Sequence, residues 1–393
     1  MLWPVLFWSL PWTLLFAYIA TMVRDPPPLP EGPAPVRPLV SVIVPARNEA
    51  HNIGMCVRSL VASDYPEVEI IVVDDRSDDD TGAVARAVGR GNVVRVTVLD
   101  GAPVPDGWFG KQWACWQGAR EARGEVLLFT DADTVHGPVL LGRAVAELHA
   151  TRADCLTVIG RQIMVSFWER LVQPQVFTLL AVRYPRMGGE PLAQPRWRSA
   201  IANGQYMLFR RASYDALGGH KAVRYEAAED LRLAQRTVRT GRRLIVRSAY
   251  EDFGTRMYRG LGEIIAGWSK NMVQAGLQTM PPAFRWAAPP LMLLAGFVLW
   301  LLPPLALGLA LAGWLGPTWL AWSATVTGVV VLFWTGVGIK FGAPAWIGPL
   351  YPLGALVGHW VLLRSWLGRD RVNWKGRSYS WDVYADAADE HAR

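Results

Sequence analysis

The sequence predicts an α/β fold with a mainly parallel sheet, together with helices that cross a membrane. Short β-branched apolar runs alternate with helical patterns between residues 39 and 255, and long stretches without charge lie on both sides of this region. Strands that alternate with helices indicate a parallel sheet with right-handed crossovers. The apolar runs lack strict alternation, which fits strands covered on both faces.

Uncharged segments near both ends of the chain predict the membrane spans. Residues 2–20 and 286–339 contain no charged residue, and residues 341–363 carry only His359. About 20 apolar residues suffice to cross a bilayer. The predicted organisation is a transmembrane helix over 1–22, a proline-rich linker over 23–38, an α/β domain over 39–255, interfacial amphipathic helices over 256–285, transmembrane or re-entrant segments over 286–365 and a basic cytoplasmic tail over 366–393.

The distribution of charge predicts a multi-pass protein of the cell membrane with its α/β domain in the cytoplasm. The first positive charge, Arg24, follows the first apolar run, and no Lys or Arg precedes that run as in a signal peptide. Three full C-terminal crossings would place the tail outside, whereas its arginines favour the inside. A re-entrant segment at 344–363 would reconcile the two.

The composition argues for lipid surfaces and against nucleic acid as a partner. The net charge is +7, and the aromatic residues cluster in the apolar segments, so we interpret the basic residues as contacts to anionic headgroups. Cys56, Cys115 and Cys155 show neither metal-ligand spacing nor a CxxC pattern, which indicates reduced thiols.

Four strands and three helices are predicted in the first half of the α/β domain. The strands are "SVIVP", "EIIVVD", "VVRVTVLD" and "EVLLF", and the helices begin near Asn52, Asp80 and Lys111. Acidic residues follow the strands: Glu49 after the first, Asp74 and Asp75 after the second, and Asp131 and Asp133 after the fourth.

These carboxylates predict a metal and diphosphate site at one edge of the sheet. The carboxyl ends of parallel strands meet there, and buried carboxylates need compensation. Oxygen ligands suit Mg²⁺ or Mn²⁺ completed by phosphate oxygens. Asp131 and Asp133 would point to opposite faces of a continuing strand, so the chain must bend after residue 130. A single acidic pair also serves as a helix cap or turn former, which is the alternative for each pair alone.

Four segments together resemble the successive motifs of the family 2 glycosyltransferases, which have the GT-A fold. They are "SVIVPARNE", "IIVVDDRSDDDT", "GWFGKQWACWQGAREARGEVLLFTDAD" and "AEDLRLAQRTVRTGRRL", within residues 38–275. "GWFGK" at 107–111 and "VNWKGRSY" at 372–379 are similar to the membrane-bound, lipid-modifying branch. That branch includes ceramide glucosyltransferase and bacterial hopanoid- or carotenoid-associated enzymes.

The resemblance assigns roles to individual residues. The nucleotide-sugar-binding residues that it implies are Pro45, Ala46, Glu49, Asp74, Asp75, Lys111, Asp131, Gly204 and Trp268. It implies that Asp133, with Asp131, binds Mg²⁺ or Mn²⁺, and that Asp230, beside Glu229, is the general base. The alternative for Glu229 and Asp230 is that they only begin a helix, where acids favour the positive end of the dipole.

Trp268 matches one position of a Q/R-x-x-R-W motif found in lipid-modifying relatives. Ile264 and Gly267 stand where the motif has its other residues. The segment 261–277 also fits an amphipathic interfacial helix with Trp268 as its anchor. The two interpretations are compatible, and both are kept.

The function that the resemblance implies is inverting transfer of a sugar to a hydroxyl of a membrane lipid or isoprenoid. The donor would be a nucleoside diphosphate sugar, and uridine diphosphate sugars are the commonest in similar enzymes. The alternatives are a processive polysaccharide synthase and a membrane scaffold whose transferase domain has lost activity.

Overall fold

The computed structural model describes residues 2–32, 35–89, 94–185, 197–226, 228–278, 284–368, 371–374 and 377–380. The chain divides into two units. One comprises Met1–Arg24, Met164–Arg186 and Tyr258–Arg369, and the other comprises Asp25–Ile163, Met187–Met257 and Asp370–Arg393. Most of the predicted basic tail, including Arg369 and Lys375, lies outside the described residues.

The elements are numbered in chain order. The strands are β1 Val40–Ala46, β2 Val68–Asp74, β3 Arg95–Asp100, β4 Val126–Thr130, β5 Thr134–His136, β6 Cys155–Ile159, β7 Arg161–Gln162, β8 Tyr206–Arg210, β9 Leu244–Ser248, β10 Phe253–Thr255, β11 Arg371–Trp374 and β12 Arg377–Ser380. The α-helices are α1 Leu2–Trp8, α2 Leu10–Met22, α3 Ile53–Val61, α4 Thr81–Gly89, α5 Gly110–Glu121, α6 Leu140–Ala150, α7 Phe167–Arg183, α8 Arg211–Ala216, α9 Glu229–Arg239, α10 Leu261–Gln278, α11 Ala288–Gly296, α12 Leu302–Leu311, α13 Pro317–Lys340 and α14 Tyr351–Leu367.

The second unit is built on a seven-stranded sheet with the order β3-β2-β1-β4-β8-β6-β9. β8 is antiparallel to its neighbours β4 and β6, and the other four pairs are parallel. The predicted mainly parallel α/β sheet is therefore confirmed. The four predicted strands and three predicted helices correspond to β1–β4 and α3–α5.

Apolar clusters cover both faces of this sheet, as the continuous apolar runs require. Ile43 and Phe129 pack on one face with Leu233 of α9, while Val42 and Leu128 pack on the other with Ile53 of α3. The three cysteines are buried and unpaired, in agreement with the prediction of reduced thiols.

The predicted linker docks on the edge of this sheet. The Leu29 backbone N–H donates to the Ser248 carbonyl over 2.8 Å, and the Ser248 N–H donates to the Pro27 carbonyl over 2.9 Å. Proline residues are tolerated here because an edge strand needs only some of its partner's N–H groups. Leu29 is consequently buried.

The first unit consists of apolar helices. Within the described ranges, three stretches are long and apolar enough to cross a membrane: Ala288–Leu311, Pro317–Lys340 and Ala345–Leu367. The first contains the π-helical segment Phe297–Leu301 between α11 and α12. Near the N-terminus, α2 is a shorter apolar helix. The number of crossings, the side of the tail and the predicted domain limits stay predictions.

α7 groups with these apolar helices, although the sequence analysis places it inside the 39–255 domain. A capping box at Ser166 and Glu169 begins the helix. Its residues Leu171 and Val172 pack in one buried cluster with Ile264 of α10 and Ile347. This shared buried cluster explains why α7 groups with the apolar helices and not with the sheet.

Candidate active site

The chain bends after β4, where two of the predicted site residues lie. β4 ends at Thr130 and β5 begins at Thr134, so Asp131 and Asp133 occupy the turn between them. The Thr134 hydroxyl donates to the Asp131 carbonyl over 2.7 Å and closes this turn. The sequence predicts a bend after residue 130, which both carboxylates need in order to serve one ligand. The chain has this bend.

Lys111 joins two acidic segments that are distant in the sequence. Its Nζ lies 2.8 Å from Asp131 Oδ1 and 2.8 Å from Glu229 Oε1. Lys111 is the second residue of α5, which begins within the "GWFGK" segment. Burial lowers the pKa of Lys111, but the charges of Asp131 and Glu229 outweigh it and raise this pKa well above its ordinary value. Lys111 therefore stays positively charged between the two carboxylates.

Asp230 is held by two backbone N–H groups at the start of α9. Gly204 N–H donates to Oδ2 over 3.0 Å and Leu231 N–H donates to Oδ1 over 2.7 Å. Burial and the neighbouring charge of Glu229 raise the pKa of Asp230 to about 6. A carboxylate with this pKa is largely ionised at neutral pH and can accept a proton.

Asp133 lies in a buried, acidic environment. Its Oδ1 is buried and has no hydrogen-bond partner among the described residues. Burial, together with the charges of Asp131 and Glu49, raises the pKa of Asp133 to about 8. In the described part of the chain no three acidic, histidine or cysteine residues form a complete metal site. Two carboxylates fit a Mg²⁺ or Mn²⁺ ion whose other ligands come from phosphate and water.

The carboxylates after β2 lie in a different environment. Asp74 Oδ1 accepts the Ser77 N–H over 3.0 Å and so shapes the turn after the strand. Asp75 is buried, and Arg377 Nη1 lies 2.5 Å from its Oδ2. On the other side, Arg47 Nη1 donates to the Asp75 carbonyl over 2.7 Å. Asp75 is thus bordered by two guanidinium groups.

The predicted residues at the end of β1 and in the loop after it contact Asp75 and influence Asp133. The Ala46 carbonyl accepts the Asp75 N–H over 2.8 Å, and Pro45 precedes it at the end of the strand. Glu49 Oε2 accepts a hydrogen bond from Asn52 over 2.7 Å, and the charge of Glu49 contributes to the raised pKa of Asp133. Glu49 therefore takes part in a local side-chain hydrogen bond and also acts electrostatically on Asp133.

Trp268 belongs to the other unit of the chain. It lies in α10, which is observed where the interfacial helix was predicted, and its ring packs edge-on against Phe177 and Tyr258. Its buried Nε1 has no hydrogen-bond partner among the described residues. Its predicted roles as an interfacial anchor and as a contact to the donor both stay predictions.

Two site residues were missed by the sequence analysis, namely Arg47 and Arg377. Arg47 lies inside the quoted "PARNE" segment, so a basic residue next to an acidic loop was the available signal. Arg377 lies in "VNWKGRSY", about 300 positions after Asp75. No local pattern pairs residues at that separation.

Comparisons with known proteins agree with the family that the sequence motifs indicate. Residues 41–218 match the family model described as glycosyl transferase family 2. These residues form a family 2 glycosyltransferase domain. The match includes Lys111, Asp131, Asp133 and Gly204 and ends before Glu229 and Asp230 of the same acidic site.

Two relatives from Staphylococcus aureus are both named 4,4'-diaponeurosporenoate glycosyltransferase. The protein of strain MRSA252 is 27% identical over 358 residues, which cover 87% of this chain and 88% of the relative. That of strain USA300 is 28% identical over 279 residues, which cover 70% and 69%. Among solved structures, a mannosyltransferase from Pyrobaculum calidifontis in complex with GDP-Man and Mn²⁺ is 18% identical, with a TM-score of 0.51 over 93% of this chain and 96% of that one. The structural likeness identifies the fold as GT-A.

Proposed function

We propose that this protein transfers a sugar from a nucleoside diphosphate donor to a hydroxyl of an isoprenoid or other membrane lipid. The observation that carries the proposal is the Lys111 bridge between Asp131 and Glu229, with Asp230 next to Glu229. A fixed positive charge, the paired acids of the DxD turn and a partly buried base are the groups that such a transfer needs. Their common location at the carboxyl edge of the sheet supports their acting on one substrate.

Asp230 is the proposed general base. It takes the proton from the acceptor hydroxyl, whose oxygen then bonds to the anomeric carbon as the bond to the diphosphate breaks. Attack from the side opposite the leaving group inverts the configuration at that carbon. The N–H groups of Gly204 and Leu231 fix both oxygens of the base, so the carboxylate is oriented before the acceptor binds.

Lys111 and the acids of the turn have the complementary role at the leaving group. Lys111 offsets negative charge that develops on the diphosphate. Asp131 and Asp133 would hold Mg²⁺ or Mn²⁺, which supplies further positive charge at the phosphates. The buried, unpartnered Oδ1 of Asp133 supports this assignment because a cation would satisfy it.

The proposed acceptor class follows from the apolar helices and from the relatives. Three helices long enough to span a bilayer belong to the same chain as the transferase domain. The two relatives are named for a diaponeurosporenoate, which is a carotenoid acid, so their names support an isoprenoid acceptor and not the hydroxyl itself. A membrane-soluble isoprenoid with one polar end fits both observations, and the donor is expected to be a uridine or guanosine diphosphate sugar.

The test is a transfer assay in membranes that contain the overexpressed protein. Membranes are incubated with a panel of labelled nucleotide sugars, and the extracted lipids are separated and analysed by mass spectrometry. We expect one sugar per lipid with the wild type and none with Asp230→Asn. A labelled polymer would instead indicate the processive synthase. Neither transfer nor donor hydrolysis, with folded protein, would indicate the inactive scaffold.

A further inference from the structure

The C-terminal hairpin places an arginine on the buried carboxylate of the predicted nucleotide pocket. β11 and β12 form an antiparallel pair, and Arg377 is the first residue of β12. Its Nη1 lies 2.5 Å from Asp75 Oδ2, and its Nη2 donates to the Asp75 carbonyl over 3.3 Å. One guanidinium thus engages both the side chain and the backbone of Asp75. The tail beyond the last apolar helix therefore contributes to this part of the site.

The Arg377 contact favours the charged form of the Asp75 carboxylate. Only 1% of the side chain is exposed, and burial raises the pKa of Asp75, whereas the hydrogen bond and charge of Arg377, followed by the charge of Arg47, oppose this rise. Arg47 has a different arrangement, because it donates to the carbonyl oxygens of Asp75 and Arg76 and pairs with Asp78. Removing one partner of a buried ion pair is costly, since the other charge stays behind without compensation.

The second oxygen of the Asp75 carboxylate needs a hydrogen-bond partner. Asp75 Oδ1 is buried and has no hydrogen-bond partner among the described residues. Buried polar atoms of this kind nearly always have a partner. Among the described residues, Arg377 supplies a donor to Oδ2 and none is supplied to Oδ1. An N–H or O–H donor or a cation can satisfy a carboxylate oxygen, and the guanidinium groups of Arg47 and Arg377 beside Asp75 disfavour a further cation. The group expected at Oδ1 is therefore an N–H or O–H donor.

We propose that Arg377 is a positioning residue of the nucleotide pocket, which holds the Asp75 carboxylate ionised and oriented so that Oδ1 accepts a hydrogen bond from the nucleoside of the donor. The inference rests on the proposed function, because it takes the nucleoside part of the sugar donor as the ligand. The donor group is a base N–H or a ribose hydroxyl. The transferase domain and the C-terminal tail then form one binding site.

Nucleotide binding by the purified full-length protein tests this inference. UDP and GDP are titrated separately with Mn²⁺ into the wild type, Arg377→Ala, Arg377→Lys and the control Arg120→Ala, which changes an exposed arginine of α5. We expect Arg377→Ala to weaken binding of the preferred nucleotide by about 10- to 100-fold. Arg377→Lys should recover part of the loss because it keeps the charge, and Arg120→Ala should bind like the wild type.

A double-mutant cycle with Asp75→Asn separates positioning from a general structural effect. If Arg377 acts through Asp75, Arg377→Ala adds less than twofold to the loss that Asp75→Asn causes alone. Two losses that multiply would overturn the inference. So would unchanged or tighter binding by Arg377→Ala, the latter because the hairpin would then obstruct the pocket.

The same experiment distinguishes this inference from the proposed function. If the wild type transfers sugar and Arg377→Ala binds the nucleotide as tightly as the wild type, the proposed function is retained and the inference is rejected. Nucleotide binding that depends on Arg377, without transfer to any lipid, would do the reverse. A wild type that binds neither nucleotide would reject both.

Discussion

The backbone N–H of Gly204 donates to Asp230 Oδ2 over 3.0 Å, and the space between them excludes a side chain. A Cβ at position 204 would lie 2.9 Å from that oxygen and 3.1 Å from Asp230 Cβ. Neither contact can be accepted without a shift of the carboxylate. Gly204 therefore sets the position of the proposed base through the absence of a side chain as well as through its hydrogen bond.

Gly204→Ala is expected to lower kcat about 10- to 100-fold with little change in donor affinity. The substitution displaces Asp230, and small errors in the position of a catalytic group are expensive. Steady-state kinetics measure the effect. The control is Gly142→Ala in α6, where the added Cβ makes only ordinary contacts at 3.8 Å. An unchanged kcat would show that Asp230 tolerates displacement and would count against its role as base.

Lys111→Ala is expected to reduce transfer more than 100-fold and to lower thermal stability. The substitution leaves Asp131 and Glu229 facing each other without the cation that lies 2.8 Å from both. Activity assays and thermal unfolding of purified protein measure the two effects. Lys221→Ala, which changes an exposed lysine, is the matched control. Full activity in Lys111→Ala would remove the proposed stabilisation of the leaving group.

kcat/KM is expected to fall as the pH is lowered, with a midpoint near the Asp230 pKa of about 6. A general base works only when deprotonated, so each unit of pH below the midpoint costs about tenfold in rate. Initial rates at low donor concentration, from pH 4.5 to 8, give the profile. A rate that stays flat to pH 4.5 would assign the proton transfer to another group.

Asp133→Asn is expected to stabilise the metal-free protein at pH 8 while abolishing transfer. The folded pKa of Asp133 is about 8, above its ordinary value of 3.8. The folded state therefore holds a proton that the unfolded chain has lost, and the contribution of Asp133 to stability falls as pH rises from about 4 to 8. Asparagine removes the buried charge, so unfolding in EDTA at pH 8 should occur a few degrees higher than for the wild type.

Adding Mn²⁺ should reverse this order. The ion stabilises the form that binds it, so the wild-type unfolding temperature should rise with Mn²⁺ while that of Asp133→Asn should not. Asp106→Asn, which changes an exposed aspartate, should follow the wild type. Equal stabilisation of Asp133→Asn by Mn²⁺ would show that the ion binds elsewhere.

Local patterns were enough to predict the first half of the sheet and the acids at its edge. β1, β2 and β4 are apolar runs that each end in a turn. Because these strands are parallel, the carboxylates at their carboxyl ends share one edge of the sheet. The turn at residues 131–133 was also predictable, since two carboxylates on one ligand require a bend. These features depend on residues close together in the sequence.

The remaining features depend on contacts that no local pattern reports. β8 inserts antiparallel between β4 and β6, a topology that its five-residue run does not specify. The grouping of α7 with the apolar helices follows from its packing against Ile264 and Ile347, which are distant in the sequence. The contact between Arg377 and Asp75 joins distant segments and is visible only when the fold is known.

The place of β8 has a consequence for biosynthesis. Phe209 pairs with Leu127, so one edge of β4 has no neighbour until the ribosome has made residues 206–210. At about 5–20 residues per second, this hydrogen-bonding edge is uncovered for several seconds during translation. A nascent chain stalled before β8 would expose an apolar strand edge to other chains, which makes it prone to aggregate.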